Sequence, residues 1–329
     1  MSAAVDISVI LATRNRAARV REVLRALAAQ ETGGRFTYEV LIADNGSADT
    51  TRQVVEQQAG GYPVPLRYVF EGRTGKPWAL NTAMTQAQGE LFAFLDDDVD
   101  VTPVWLRELW ACAQEEQADA VSGKIVPKWL DPRPAWLTDE AFWTIGSMGC
   151  IDHGSARRSS LDGQDCRWVG GNMAIRRTVF EQLGGNDVRM ARGQDTEYYL
   201  RCLKRGVKVC YAPSALAYHL ISGERMKPAH FRQWHHRQGQ VMAQLMPWKL
   251  THLITVMPVW RYGKLARHIE AYLHHRLSRG PWWKQFYYEL QLRQELSKWK
   301  ARWIAWPGQV GRWFAGRFQP SDKTPRQVV

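Results

Sequence analysis

Apolar residues along the first hundred positions fall into short runs, each closed by polar turn residues or a helix-spaced stretch. Residues 5–11 form a β-rich run ending in Thr13-Arg14-Asn15-Arg16, and Val20, Val23, Leu24 and Leu27 then recur at helical spacing up to Gly33-Gly34. A second strand is predicted over 38–43, ending in Asp44-Asn45-Gly46-Ser47, with a helix from Asp49 and Thr50 through Gln57. A third strand over 66–70 leads into the loop 71–77 and a helix over 78–88. The apolar run Phe92-Ala93-Phe94-Leu95 follows and ends in three consecutive carboxylates, Asp96, Asp97 and Asp98. Strand and helix alternating at this spacing predict an α/β fold with a parallel sheet and right-handed crossovers. The polar tips of strands one, two and four then converge on one edge, where such sheets bind ligands.

Further along, residues 128–166 are rich in Pro, Trp, Gly and Ser and read as a long lid or insertion. Val169-Gly170-Gly171-Asn172 approaches another strand, a helical run covers 198–204, and residues 207–212 form a strand that 215–219 extend.

Three adjoining carboxylates repel one another unless a cation or strong donors lie between them, and hard oxygens so placed suit magnesium or manganese on a diphosphate. A solvated capping turn is the weaker alternative directly after a buried strand. Asp96, Asp97 and Asp100 also fit the Asp-Asp-x-x-Asp pattern of prenyl synthases, but that chemistry needs a long helix, and here β-formers precede it and Pro103 follows. Neither a Gly-x-Gly-x-x-Gly after the first strand nor a Gly-x-x-x-x-Gly-Lys-Ser/Thr occurs, so dinucleotide and Walker-type sites lose their main supports. Asp44 is either a turn stabiliser or an acceptor for a nucleoside's donors. Lys76 is either a surface lysine or a cation for a diphosphate. His219 is either structural or part of a metal shell. Asp195 either caps the helix that follows or serves as a general base.

At 329 residues and 45% hydrophobic content the chain has room for a large domain and an appendage. Residues 225–329 carry 19 Lys/Arg against 4 Asp/Glu, a surplus of 15 positive charges, whereas residues 1–224 carry a net −3. Nine of the 16 tryptophans and seven of the nine histidines lie after Gly223, so a boundary is expected there. The expected division is a catalytic domain over 1–224, a basic Trp-rich helical region over 225–319 and a disordered tail over 320–329. Within the basic region Tyr288, Leu292, Leu296, Trp299, Trp303 and Trp306 recur at helical spacing, which suits either packing against the catalytic domain or an anionic membrane interface. Residues 251–260 are apolar but too short to span a bilayer, and dipping into one leaflet is their membrane reading. Five cysteines without a Cys-x-x-Cys pair, and no stretch resembling a leader or membrane span, fit a cytoplasmic protein, peripheral on the inner face of the cell membrane if the tail docks. Nucleic-acid binding is the remaining reading of so basic a segment, and without a recognisable module no nucleic acid is expected.

The ordered motifs resemble glycosyltransferase family 2, inverting enzymes with the GT-A fold. The resemblance is carried by residues 8–16, 40–47, Gly75-Lys76 with Ala79-Leu80-Asn81, Phe94-Leu95-Asp96-Asp97-Asp98, 170–177, Gly184-Gly185-Asn186-Asp187 and Gly193-Gln194-Asp195, in the family's order up to His219. It implies a nucleotide-diphosphate sugar donor, a glycan or lipid-linked acceptor, and a divalent Mn or Mg. Thr13 and Asp44 would hold the nucleobase, Lys76 would lie near the diphosphate, and Asp96 would face the ribose, with Asn15 and Asn81 in the same donor site. Asp98 would ligate the metal with His219, Gly171 and Asn172 would lie on the acceptor side, and Asp195 would be the catalytic base. Gln194 departs from the pattern, since the family usually has an acid there. The Gln-x-x-Arg-Trp motif of processive synthases is also missing, with only Phe231-Arg232-Gln233-Trp234 nearby, so single additions are expected. A nucleotidyltransferase, or an inactive sugar-binding scaffold on the same fold, is the alternative.

Overall fold

A computed structural model describes residues 5–146, 148–246, 257, 260–278 and 280–317. The predicted alternation is present: β1 (Ile7–Thr13), α1 (Ala17–Ala28), β2 (Tyr38–Asp44), α2 (Thr51–Ala59), β3 (Leu66–Phe70), α3 (Lys76–Gln86) and β4 (Leu91–Asp96). β5 (Val99–Val101), α4 (Trp105–Glu115) and β6 (Ala120–Trp129) follow. After α5 (Asp139–Ile145) come β7 (Arg158–Ser159), β8 (Asn172–Arg176), α6 (Arg177–Leu183), α7 (Gln194–Lys204) and β9 (Val209–Ile221). The strands form one sheet in the order β3-β2-β1-β4-β8-β6-β9-β5, with β7 paired to β9.

Pairing is parallel from β3 to β4 and between β6 and β9. β8 enters antiparallel to both β4 and β6, and β5 antiparallel to β9, so the sheet is mixed on that side. The strand expected over 207–212 and extended by 215–219 is β9, whose register shifts opposite Gly123 and Lys124. β1, β2 and the first five residues of β4 are buried throughout, which explains their unbroken apolar runs. One core packs Val20, Val23, Leu24 and Leu27 of α1, with α2 and α4, against one face of the sheet. A second packs Ala79, Leu80, Ala83 and Met84 of α3, with Tyr198, Tyr199 and Cys202 of α7, against the other face.

The chain divides into two compact units, the first comprising residues up to Arg133 and Met148–Arg225, the second Pro134–Ser147 and everything from Met226. The composition break therefore falls within two residues of the boundary. The segment 134–147, expected to belong to a lid of the catalytic domain, is part of the second unit. It supplies Trp136, whose ring meets Phe231, Trp282 and Phe286 edge-on at 5.2–5.5 Å. The second unit further contains α8 (Pro228–Leu245), α9 (Trp260–Leu277) and α10 (Trp282–Arg317). α10 buries Trp283, Phe286, Leu290, Ser297 and Arg302, while Leu296 and Trp303 of the anticipated stripe are 56% and 65% exposed. α10 approaches α8 closely at Gly239, where a Cβ would lie 2.3 Å from the Gln294 carbonyl oxygen. Most of residues 251–260, and the tail over 320–329, lie outside the described residues.

His235 on α8 is buried, its Nδ1 2.9 Å from Gln294 Oε1 and its Nε2 without a hydrogen-bond partner among the described residues. Burial pushes its pKa from 6.5 down to about 4. The unfolded chain therefore takes up this proton first, and stability is full above about pH 6.5 and lost as pH falls toward 4. The loss is on the order of 3 kcal/mol once the group is protonated. Urea titrations followed by tryptophan fluorescence at pH 7 and 4.5 should show it, and a His235→Gln variant should flatten the difference.

Candidate active site

The sheet's register assembles the acidic edge. Thr13 pairs with Asp44 across β1 and β2, and Ala12 pairs with Asp96 across β1 and β4, so three strand tips meet at one level. Asp44 is buried, its Oδ2 accepting from Tyr68 Oη at 2.6 Å and its Oδ1 from the Ser47 amide at 2.8 Å. Thr13 donates its hydroxyl to Asp97 Oδ2 at 2.8 Å. Burial raises the Asp97 pKa above the usual carboxylate range despite that hydrogen bond. Asn15 adopts φ 53° and ties the first two turns together, its amide nitrogen donating to Ser47 Oγ and its Oδ1 accepting from the Ala48 amide at 2.7 Å.

Asn45 organises the neighbouring loop. Its side chain donates to the Arg73 carbonyl at 2.7 Å and the Glu71 carbonyl at 3.3 Å, and accepts from the Gly75 amide at 2.7 Å. Gly75 has φ +135°, a conformation that only glycine adopts readily, and the chain turns there into α3 with Pro77 in its first turn. Lys76 consequently opens α3, two residues earlier than expected, with Nζ paired to Asp96 Oδ1. Burial works against the ammonium, but Asp96, then Asp195 and Asp98, outweigh it and raise the lysine's pKa. One ammonium thus lies in the field of three carboxylates that are far apart in sequence.

Asp195 occupies the first turn of α7, where the helix dipole favours a carboxylate. Its Oδ2 accepts from the Gly170 amide at 3.1 Å, and its carbonyl accepts from Trp168 Nε1 at 2.9 Å. Lys76, Gly170, Gln194 and Asp195 open onto one pocket backed by Phe94 and Tyr198. A Cβ on Gly170 would sit 3.7 Å from Asp195 Oδ2 and 3.9 Å from Lys76 Nζ. A Cβ on Gly171 would come within 3.1 Å of Val99 Cγ2 and 3.4 Å of Asp96 Cγ. These two glycines let a backbone strand pass between the base candidate and the acidic edge.

Asp98 follows β4, and His219 reaches it because β5 and β9 pair Val99 with His219. His219 Nε2 lies 3.4 Å from Asp98 Oδ2, while Nδ1 lies 2.5 Å from the Met148 carbonyl oxygen. A carbonyl only accepts, so Nδ1 carries the proton and Nε2 presents a lone pair. Arg225 spans the pair, Nη2 to Asp98 Oδ2 at 2.6 Å and Nη1 to His219 Nε2 at 2.7 Å. Burial would raise the Asp98 pKa, but its hydrogen-bonding and charged neighbours, the Arg225 guanidinium among them, hold it far below the usual range.

Two of the anticipated contact residues have other duties. The Asn81 amide donates to the Asn186 carbonyl at 2.9 Å and accepts from the Asn186 amide at 2.8 Å, pinning the loop before α7. Asn172 is fully buried: its Oδ1 accepts from Trp105 Nε1 at 2.8 Å, and its Nδ2 donates to the carbonyls of Lys124 and Ala215. Both side chains position backbone. Arg225, Asn45 and Trp168 are the site residues that sequence reasoning missed.

An open sheet whose fourth strand ends in carboxylates, with a fifth short strand beside them, is the GT-A architecture of glycosyltransferases. Residues 8–184 match the model of Glycosyl transferase family 2, and the chain belongs to that family. It is a glycosyltransferase of the hexosyltransferase type. Among its relatives, the succinoglycan biosynthesis protein ExoM of Rhizobium meliloti is 26% identical over 228 residues, 68% of this chain and 70% of that one. Glycosyltransferase AglE of Haloferax volcanii is 23% identical over 256 residues, 77% and 79% of the two chains. Among solved structures, a mannosyltransferase from Pyrobaculum calidifontis in complex with GDP-Man and Mn2+ superposes with a TM-score of 0.55 at 19% identity, over 96% of this chain and 76% of that one. Residues 1–349 of TarS from S. aureus in complex with UDP give 0.50 at 16% identity, over 92% of each chain. At such identities the structural likeness speaks for the fold.

Proposed function

We propose that this chain transfers a sugar, with inversion, from a nucleotide-diphosphate donor to a hydroxyl acceptor in the synthesis of a cell-surface glycan or polysaccharide, with the aid of a divalent cation. The observation that carries the proposal is the convergence of Lys76, Asp96, Asp98 and Asp195, with Lys76 and Asp195 on one pocket. The bound ligands of the two solved relatives, GDP-Man with Mn2+ in one and UDP in the other, support a nucleotide donor.

Thr13 and Asp44, at the tips of β1 and β2, are the seat for the base. Asp96 is released toward the ribose when the diphosphate draws Lys76 away. The donor set fits a cation: a carboxylate oxygen and an imidazole nitrogen of fixed tautomer face each other at 3.4 Å. Among the described residues no three His, Cys, Asp or Glu side chains form a cage, which suits an ion that completes its shell with phosphate oxygens and water. Held by Asp98 and His219, manganese or magnesium would neutralise charge gathering on the departing diphosphate. Asp195 takes the acceptor's proton as the acceptor oxygen bonds to the anomeric carbon and the sugar–phosphate bond breaks. One displacement without an enzyme-linked sugar inverts the anomeric centre.

Incubation with manganese and UDP-, GDP- or dTDP-sugars plus a glycan acceptor tests the reading. Release of nucleoside diphosphate is the expected result, whereas a nucleotidyltransferase would leave these sugars intact and release pyrophosphate only when given a nucleoside triphosphate and a sugar 1-phosphate.

No helix among the described residues is long and apolar enough to cross a membrane. Ile269, Leu273 and Leu277 of α9 recur every four residues and are 44%, 49% and 85% exposed. With Arg276 beside them and the surplus positive charge after residue 225, they favour docking on an anionic bilayer, hence a lipid-linked acceptor. The full chain should float with vesicles containing phosphatidylglycerol at low salt. Ile269→Asp with Leu273→Asp should leave it in the pellet fraction, and equal flotation of both proteins would refute docking by this face.

A further inference from the structure

Arg225 is the residue that the proposed reaction does not yet use, and it holds the most consequential position around the acidic edge. Its guanidinium points one nitrogen at Asp98 Oδ2, 2.6 Å away, and another at His219 Nε2, 2.7 Å away. Those are the two atoms a divalent ion would take, at about 2.0–2.2 Å from each. A guanidinium and a metal ion cannot both lie between two donors 3.4 Å apart. The occupant is therefore one or the other.

We propose that Arg225 is an internal stand-in for the cation: metal enters only as Arg225 leaves, and the freed guanidinium passes to the donor's diphosphate. This rests on the reading of Asp98 and His219 as the metal's ligands. Three features support the exchange. Arg225 stands in the 3-10 turn Gly223–Met226 directly after β9, and its side chain is 32% exposed, so it can swing on a flexible stem without moving the sheet. His219 keeps its lone pair toward the pair whatever the occupant, because Met148 fixes the proton on Nδ1. Charge balance supplies the coupling. With Arg225 on Asp98 and Lys76 on Asp96, a divalent ion arriving alone finds both carboxylates already paired to cations. A diphosphate arriving with it offers both side chains a new partner, and Arg–phosphate pairs are well matched in geometry. Metal and nucleotide then bind with positive cooperativity, each strengthening the other by the same factor. The arrangement also keeps Asp98 paired when the site is empty of donor, which avoids the cost of an unpaired buried charge there.

Mn2+ binding to the full chain, read by the electron paramagnetic resonance signal of the free ion with and without UDP or GDP, tests this independently of turnover. Wild type should bind Mn2+ weakly alone, and nucleotide should tighten it by about tenfold or more. Arg225→Ala should bind Mn2+ alone about tenfold more tightly than wild type, with the nucleotide's enhancement reduced by a comparable factor. Arg225→Lys keeps the charge without the fork and should fall between, which guards against a misfolded alanine variant. If Asp98→Asn loses Mn2+ while Arg225→Ala and Arg225→Lys bind it no better than wild type, the stand-in role is wrong and the ligand assignment survives. If Asp98→Asn binds as wild type does, the ligand assignment is wrong and the stand-in role fails with it.

Discussion

Asp195→Ala should lower turnover by about 100-fold or more at saturating donor and acceptor, the contribution general bases commonly make. That factor corresponds to about 2.7 kcal/mol of transition-state stabilisation. The geometry makes the expectation specific. Asp195 Oδ2 has one protein donor, the Gly170 amide, so a lone pair remains for an acceptor hydroxyl entering the pocket it shares with Lys76. The carbonyl of Asp195, fixed by Trp168, stays in place whatever the side chain. Asp195→Asn should therefore fold, hold nucleotide with wild-type affinity, and lose kcat with little change in the donor's KM. Nucleoside diphosphate release under steady-state conditions checks it, and near-normal turnover of either variant would remove Asp195 from the role.

Asp98→Ala should abolish the tightening of nucleotide binding by manganese, a loss on the order of 10- to 100-fold or more, by analogy with the cost of disturbing metal-site partners. The substitution also strands Arg225 beside His219, so an additional positive charge faces the diphosphate. Calorimetry of UDP or GDP binding with manganese and with a chelator separates the effects: the manganese-dependent part should vanish while the metal-free affinity is at least that of wild type. A variant that still responds to manganese as wild type does would move the cation elsewhere. His219→Gln should show the same pattern more weakly, since the carboxylate would remain.

The half of the fold that carries the proposed nucleotide site was legible because it is parallel. Strands buried on both faces leave continuous apolar runs, and their carboxyl ends fall together whatever the loops do, which brings Thr13, Asp44 and Asp96 to neighbouring strand tips. The family's ordered motifs then added Asp98, Asp195 and His219, residues that spacing alone left ambiguous. The direction of β8 was not legible, since an apolar run after Gly170-Gly171 reads the same in either sense. Nor was the duty of Asn172: a buried asparagine that serves three backbone and indole groups looks, in one dimension, like any polar residue beside a glycine pair. Arg225 was out of reach for a plainer reason. It grips Asp98 from 127 positions away, inside a segment whose many arginines look alike until the chain is folded. On α10 the burial of Ser297, Lys298 and Arg302, while Leu296 and Trp303 are exposed, is the reverse of what hydropathy suggests.

Asn45 has a consequence for anyone hoping to change the donor. Its single amide clips the turn beside Asp44 to the loop that launches Lys76. Swapping in another protein's base-recognition turn would carry away this clip unless an asparagine were kept at the same spot. The recipient would then discriminate a new nucleobase while its lysine drifted off the phosphates. Grafts between relatives ought to exchange residues 44–47 and 71–76 together, as one cassette.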